Sequence, residues 1–219
     1  MKPDMTDGLH LEAISIALNG RMLLSLSARV RPGEILTVMG PSGSGKSALL
    51  AALGGFLDPA FTASGRIRID TDDLTSVAAE KRRFGMLFQD PLLFPHLSVG
   101  GNLLFGLTPS IVRRDQRRRM EQALADVELE GFFDRDPATL SGGQKARVAL
   151  QRVMLSAPRL LLLDEPFSKL DSGLRQQTRN LIFSRAKSAR LPVVLVTHDQ
   201  ADAEAAGGEI LVIGEEAGR

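Results

Sequence analysis

The sequence predicts an α/β fold with a mainly parallel sheet core, an N-terminal antiparallel β subdomain and an inserted α-helical subdomain. Three observations predict it. Short apolar runs of strand length ("ILTVM", "RLLLL", "PVVLV") are separated by stretches of helical character, which implies parallel strands joined by right-handed crossovers. Two blocks of alternating apolar and polar residues flank an "NG" pair near the N-terminus, a hairpin signal. Helix formers then dominate from about residue 98 to 156, a change of texture that reads as an insertion into the core. The organisation this predicts is one domain over 1–219, with 1–90 and 157–219 as the core and 91–156 as the helical subdomain.

Each element has its own warrant. Residues 9–30 form the hairpin, and "RPGE" (31–34) is a turn. "ILTVMG" (35–40) is a continuous apolar run, the pattern of a buried parallel strand. "KSALLAALGGF" follows with helical character and a glycine stop at Gly54 and Gly55. "GRIRID" (65–70) and "RRFGMLFQD" (82–90) read as further strands. In "RRDQRRRMEQALADVEL" a charged face opposes Met120, Leu124 and Val127 at helical spacing, and its arginines read as a solvated helix surface. The core resumes with the strand at 159–166, a helix around 173–190, the strand "PVVLVTH" (192–198), a short helix and a last strand at 209–214.

Bulk properties exclude several classes. The 219 residues can bury a sizeable core, and 43% hydrophobic with 24% charged residues is a globular composition. A net charge of +1 gives no electrostatic case for nucleic-acid binding. The chain has no cysteine, so disulfide and thiolate chemistry are excluded. The N-terminal stretch is acidic and polar where a signal peptide needs an apolar core, and no run approaches the roughly 20 apolar residues that span a bilayer. Any membrane role must be peripheral.

The chemistry-bearing motifs start with "GPSGSGKS". Gly40, Pro41, Ser42, Gly43, Ser44, Gly45, Lys46 and Ser47 fit G-x-x-x-x-G-K-[ST] between a strand and a helix. Glycines let backbone N–H groups converge on phosphate oxygens at a helix N-terminus; Lys46 reaches the β and γ phosphates and Ser47 ligates Mg²⁺. A nucleoside triphosphate site is the reading. "LLLLDEP" places Asp164 and Glu165 at the carboxyl end of an apolar strand, where open parallel sheets bind ligands. Consecutive strand residues point to opposite faces, so the two should differ in role: Asp164 toward Mg²⁺, Glu165 as the base that deprotonates the attacking water. Two solvated acids at a strand end are the plain alternative. His198 closes a strand at the same sheet edge, where an imidazole N–H can hold a γ-phosphate oxygen. Gln89 ends another strand with an amide able to touch Mg²⁺ or the water. Both also occur as ordinary surface residues, the reading given to His10 and His96. "TLSGGQKARVALQR" (139–152) is a second glycine-rich helix start, with Ser141 as its N-cap.

In this order and spacing the motifs resemble those of an ATP-binding cassette (ABC) ATPase, over nearly the whole chain. "GPSGSGKS" resembles the Walker A loop, "FQD" the Q-loop, "LSGGQ" the family signature, "LLLLDEP" Walker B, "SKLD" the D-loop and "VTHD" the switch-histidine segment. The resemblance implies a P-loop NTPase with a RecA-like sheet core, ATP and Mg²⁺ as cofactors, and a head-to-tail homodimer that sandwiches ATP. Ser141, Gly142, Gly143 and Gln144 then face the other copy's triphosphate, Asp171 cross-links the two sites, and Ala48 joins the nucleotide-binding residues after Ser47.

"FQDPLLFPHLSVGGNLLFGL" (88–107) further resembles importer subunits for polyamines, iron, sulfate, molybdate and thiamine. It implies a transmembrane permease docking near residues 88–97 on Leu92, Leu93, Phe94, Pro95 and Leu97, unless these are simply subdomain core. It also implies a solute-binding protein in the same system, no nucleic-acid partner, and a place at the cytoplasmic face of the inner membrane. The sequence ends soon after the His198 strand, which implies that the extra regulatory domain many such subunits carry is not part of it. The rival reading, a soluble ABC-type ATPase acting on nucleic acid or ribosomes, lacks the long coiled-coil insertion or tandem cassettes such proteins tend to carry. Three positions depart from the pattern. Leu18 stands where an aromatic usually stacks on adenine, which predicts weaker base binding or discrimination; Ala48 replaces a Thr; and Lys169 replaces an Ala in the D-loop, with no account from sequence.

Overall fold

The computed structural model describes residues 7–108 and 111–214. In chain order its elements are β1 (Leu9–Leu18), β2 (Arg21–Val30), β3 (Ile35–Met39), α1 (Lys46–Gly54), β4 (Phe61–Ile69), β5 (Asp72–Asp73), α2 (Ala79–Arg82) and β6 (Phe84–Leu87). There follow α3 (Val99–Leu104), α4 (Arg113–Ala125), a 3₁₀ turn (Pro137–Thr139), α5 (Gly142–Met154), β7 (Leu160–Asp164), α6 (Ser172–Ser188), β8 (Val193–Val196), α7 (Gln200–Ala206) and β9 (Ile210–Val212).

Residues up to Met86, with 159–165 and those from Ala186 on, form one compact unit. Its first sheet is antiparallel, in the order β2-β1-β4-β5. The β1–β2 turn works because Asn19 and Gly20 both sit at positive φ, 49° and 80°, as a two-residue turn between right-twisted strands requires. The second sheet runs β6-β7-β8-β3-β9, and β3 pairs in parallel with both β8 and β9. Leu160–Leu163 of β7 and Val193–Val196 of β8 are wholly buried, as strands covered on both faces must be. Leu160, Leu162, Val194 and Val196 share one core with Leu49, Leu50 and Leu53 of α1 and with Leu9, Leu11 and Ile16 of β1. That core fixes α1 against the carboxyl ends of the strands, the edge where the chemistry sits. Several boundaries move from expectation: β4 begins at Phe61 rather than Gly65, β6 covers only Phe84–Leu87 because Arg82 belongs to α2, and β8 stops at Val196, so Gln89 and His198 lie just past their strands rather than in them.

Residues 87–158 and 166–185 form the second unit. The sequence reading gave 166–185 to the core. Here the segment groups with the helical residues, for reasons visible in its contacts. Within the segment itself Phe167, fully buried, meets Phe183 edge-on at 5.7 Å; the links to the helical residues are others. The Arg185 guanidinium donates to the Asp126 carbonyl at the end of α4. The glycines that open α5 lie against Leu170, Leu174 and Thr178. Among the described residues no helix is long and apolar enough to cross a membrane.

Candidate active site

β3 ends at Met39, and the chain turns through Gly40–Gly45 into α1. Gly40 is there for space: a Cβ would sit 2.4 Å from the Ile213 carbonyl oxygen. Gly43 and Gly45 adopt φ of 80° and 93°, a region that costs other residues about 1–2 kcal/mol. Lys46 opens α1 and is only 7% exposed. Its Nζ donates to the Gly40 and Pro41 carbonyls, 2.8 Å each, so two of its three donors brace the loop. The Ser44 hydroxyl is buried with no protein partner. Loop, ammonium and helix N-terminus together hold positive potential over one small volume.

Ser47 Oγ donates to Asp164 Oδ1 at 3.2 Å. Burial is the main force pushing the Asp164 carboxyl above its ordinary range, and the neighbouring Glu165 charge adds to it; the Ser47 hydrogen bond and the Lys46 charge pull the other way. A hydroxyl and a carboxylate give hard oxygen donors. Mg²⁺ asks for little more from a protein, since it keeps waters and substrate phosphates in its shell. The residues fit that ion.

Glu165 leaves the strand with φ of 44°. Strand alternation was expected to send the two acids apart. In fact β7 ends at Asp164, and the left-handed turn at Glu165 redirects the second carboxylate. Its Oε1 lies 3.0 Å from Nδ1 of His198, just beyond the end of β8. Glu165 and His198 line, with Leu18, Leu23, Phe61 and loop residues Gly40–Gly43, Gly45, Lys46, Ser47 and Ala48, a cavity of about 620 Å³, a size suited to a small-molecule ligand. Leu18 thus lines the same cavity as the loop. The sequence missed Phe61 and Leu23, and no local signal could have supplied them: Phe61 reaches the cavity as the register partner of Leu18 across β1 and β4.

The second unit carries the remaining candidates. Ser141 caps α5: its Oγ accepts from the Gln144 N–H at 3.3 Å, and Gln144 Oε1 accepts from the Ser141 N–H at 2.9 Å, a reciprocal capping box. Gly142 has no room to spare, since a Cβ would lie 3.2 Å from Leu170 Cδ2. Asp171 Oδ1 accepts from the Leu174 N–H at 3.1 Å and so caps the start of α6. Gln89 is exposed. Beside it Asp90 takes the Lys169 ammonium at 2.5 Å, which gives Lys169 the role the sequence could not. Arg152, at the far end of α5, donates to the Leu92 and Pro91 carbonyls at 2.8 and 3.1 Å. The same loop is stapled by Asn102, fully buried, which bonds the N–H and carbonyl of Phe94. Leu92, Phe94 and Phe105 stay exposed, the two rings 4.7 Å apart.

The ABC transporter family matches residues 23–168. This chain belongs to it. The ATPase is 43% identical over 198 residues to the uncharacterized ABC transporter ATP-binding protein YnjD of Escherichia coli (strain K12), spanning 90% of this chain and 91% of that one. It is 41% identical over 206 residues to the thiamine import ATP-binding protein ThiQ of Jannaschia sp. (strain CCS1), 94% and 88% of the two chains. A dimeric post-hydrolysis state of the ATP-binding cassette MJ0796 bound to ADP and Pi superposes with a TM-score of 0.74 at 29% identity, over 94% of each chain. The protein is an ATP-binding subunit of an ABC transporter, and its activity is ATP hydrolysis.

Proposed function

We propose that this ATPase energises a solute importer, with two copies closing head to tail around Mg-ATP. The observation that carries the reading is the second glycine-led helix start. Ser141 Oγ accepts from Gln144, which leaves its own proton to donate, and the leading N–H groups of any helix lack intrahelical partners. That is an anion site over and above the phosphate loop of the same chain, and a second copy is what gives it a triphosphate to hold.

In this reading Gly40–Ser47 cradle the phosphates and Lys46 pairs with the β and γ oxygens. Ser47 and Asp164, bonded to each other, would hold Mg²⁺, which when bound would supply charge neutralisation to the phosphates. Glu165 accepts a proton from water; the water oxygen bonds the γ phosphorus, and the bond from that phosphorus to the ADP oxygen breaks. A neutral imidazole carries one N–H: here Nδ1 meets Glu165 Oε1 at 3.0 Å, and with ATP bound His198 would turn that single donor to a γ-phosphate oxygen. Asp171 adds a contact between the two sites. Loss of the γ phosphate removes the contacts that favour the closed pair, a population shift driven by differential affinity.

The permease docks on the 88–97 segment, where Leu92 and Phe94 are exposed and Arg152 ties the loop to α5. A solute-binding protein completes the system, and the ATPase itself works peripherally at the cytoplasmic face of the inner membrane. Import is supported by the likeness to a thiamine import subunit over 94% of the chain.

The test is complementation. Lys46→Ala and Ser141→Arg each abolish hydrolysis alone. Mixed, they form heterodimers with one intact composite site, so activity returns. A mixture as dead as its parts would sink the sandwich.

A further inference from the structure

We infer that Phe61 is the base-stacking residue of this ATPase, supplied from β4 in place of the aromatic missing at Leu18. The inference rests on reading the 620 Å³ cavity as the nucleotide site, and it names what that site recognises beyond phosphate.

Leu18 ends β1 and Phe61 begins β4, and the two are direct partners in the antiparallel register. Such partners project from one face with Cβ atoms about 4.5–5.5 Å apart, so whatever touches Leu18 is within reach of the Phe61 ring. Phe61 is half-buried, packed against the core on one side and lining the cavity on another. Its position is set by a tight turn: its N–H donates to the Asp58 carbonyl at 2.9 Å, and Asp58 Oδ1 accepts from the Ala60 N–H at 2.8 Å. A ring held this way pays little entropy to serve as a platform.

The cavity is also chemically two-ended. The loop contributes Ser42, Lys46 and Ser47; the antiparallel sheet contributes only Leu18, Leu23 and Phe61. A ligand with an anionic end and a flat, weakly polar end matches both. None of the three sheet side chains carries a hydrogen-bonding group, so selection at that end works by area of stacked face. Purine triphosphates are favoured over pyrimidine triphosphates, and ATP is not told from GTP, because an amino and an oxo group meet the same hydrocarbon.

The experiment exploits the absence of tryptophan from the chain. Phe61→Trp introduces a single indole. ATP and GTP quench its emission, and inorganic tripolyphosphate does not. Phe61→Leu, which keeps apolar volume without a π face, weakens ATP about tenfold in calorimetry, the scale of one base–aromatic stack, and leaves tripolyphosphate affinity unchanged. Phe61→Tyr restores ATP affinity. Equal ATP affinity in the Leu variant, or quenching by tripolyphosphate as strong as by ATP, overturns the assignment. A Lys46→Ala variant that still binds tripolyphosphate normally overturns instead the reading of the cavity as a phosphate site, so the two failures are distinguishable.

Discussion

Replacing Glu165 by Gln separates chemistry from architecture at this site. The amide keeps an Oε1 acceptor for the His198 donor 3.0 Å away and keeps the volume, so the side chain stays where it is. The backbone strain at φ 44° is unchanged as well, which keeps the folded state equally stable. What goes is basicity. A positioned general base contributes about 10²–10⁴ in rate, or about 3–5 kcal/mol of barrier, and hydrolysis should fall by that much. ATP affinity should stay within about twofold, because no phosphate contact is removed. His198→Ala is the companion: it takes one donor from Glu165, a loss of about 1–1.5 kcal/mol, and slows turnover about tenfold. Phosphate-release assays under single turnover, with calorimetry for binding and size exclusion for the ATP-bound pair, read all three quantities. Parental hydrolysis by the Gln variant would refute the base assignment. Loss of ATP binding in the same variant would show that Glu165 holds substrate rather than activating water.

Other outcomes follow from the same geometry. Burial makes the folded chain hold the Asp164 proton more tightly than the unfolded chain, whose ordinary value is 3.8. Folded protein therefore binds more protons between 3.8 and the raised value, and stability without Mg²⁺ falls as pH rises through that window. Asp164→Asn removes this fall, measured as urea midpoints from acid to neutral pH; an unchanged slope contradicts the burial argument. Gly40→Ala forces a methyl to within 2.4 Å of the Ile213 carbonyl; the backbone must move, costing about 1–3 kcal/mol and most of the ATP affinity. Phe167→Ala empties a fully buried site and costs about 3–5 kcal/mol by chemical denaturation. Lys169→Ala breaks an ion pair whose ends are 53% and 61% exposed, so stability changes by less than about 1 kcal/mol.

What could be read in advance was local. The Asn19-Gly20 turn, the apolar runs of β3, β7 and β8, the strand–loop–helix around Lys46 and the Ser141 cap each announce themselves within a few residues, because turn chemistry, burial and capping act at short range. What escaped depends on register and on contacts far apart in the chain. Phe61 looks like any loop-edge aromatic until β4 pairs with β1. Lys169 looks like an intrusion until Asp90 lies beside it. The 166–185 segment looks like core because it follows a core strand, and only Arg185 and the glycines of α5 show which residues it packs with. Glu165 looks set apart from Asp164 by strand alternation until β7 ends at Asp164 and a left-handed residue turns the second carboxylate to His198.

The mutual grip of Ser141 and Gln144 has a kinetic consequence. A lip that is already shaped before any partner arrives need not fold when it meets one. In the proposed pair the encounter then costs little ordering, and separation parts two finished surfaces without unravelling either. Each cycle can open and close quickly, its pace left to the nucleotide and to the membrane complex it drives.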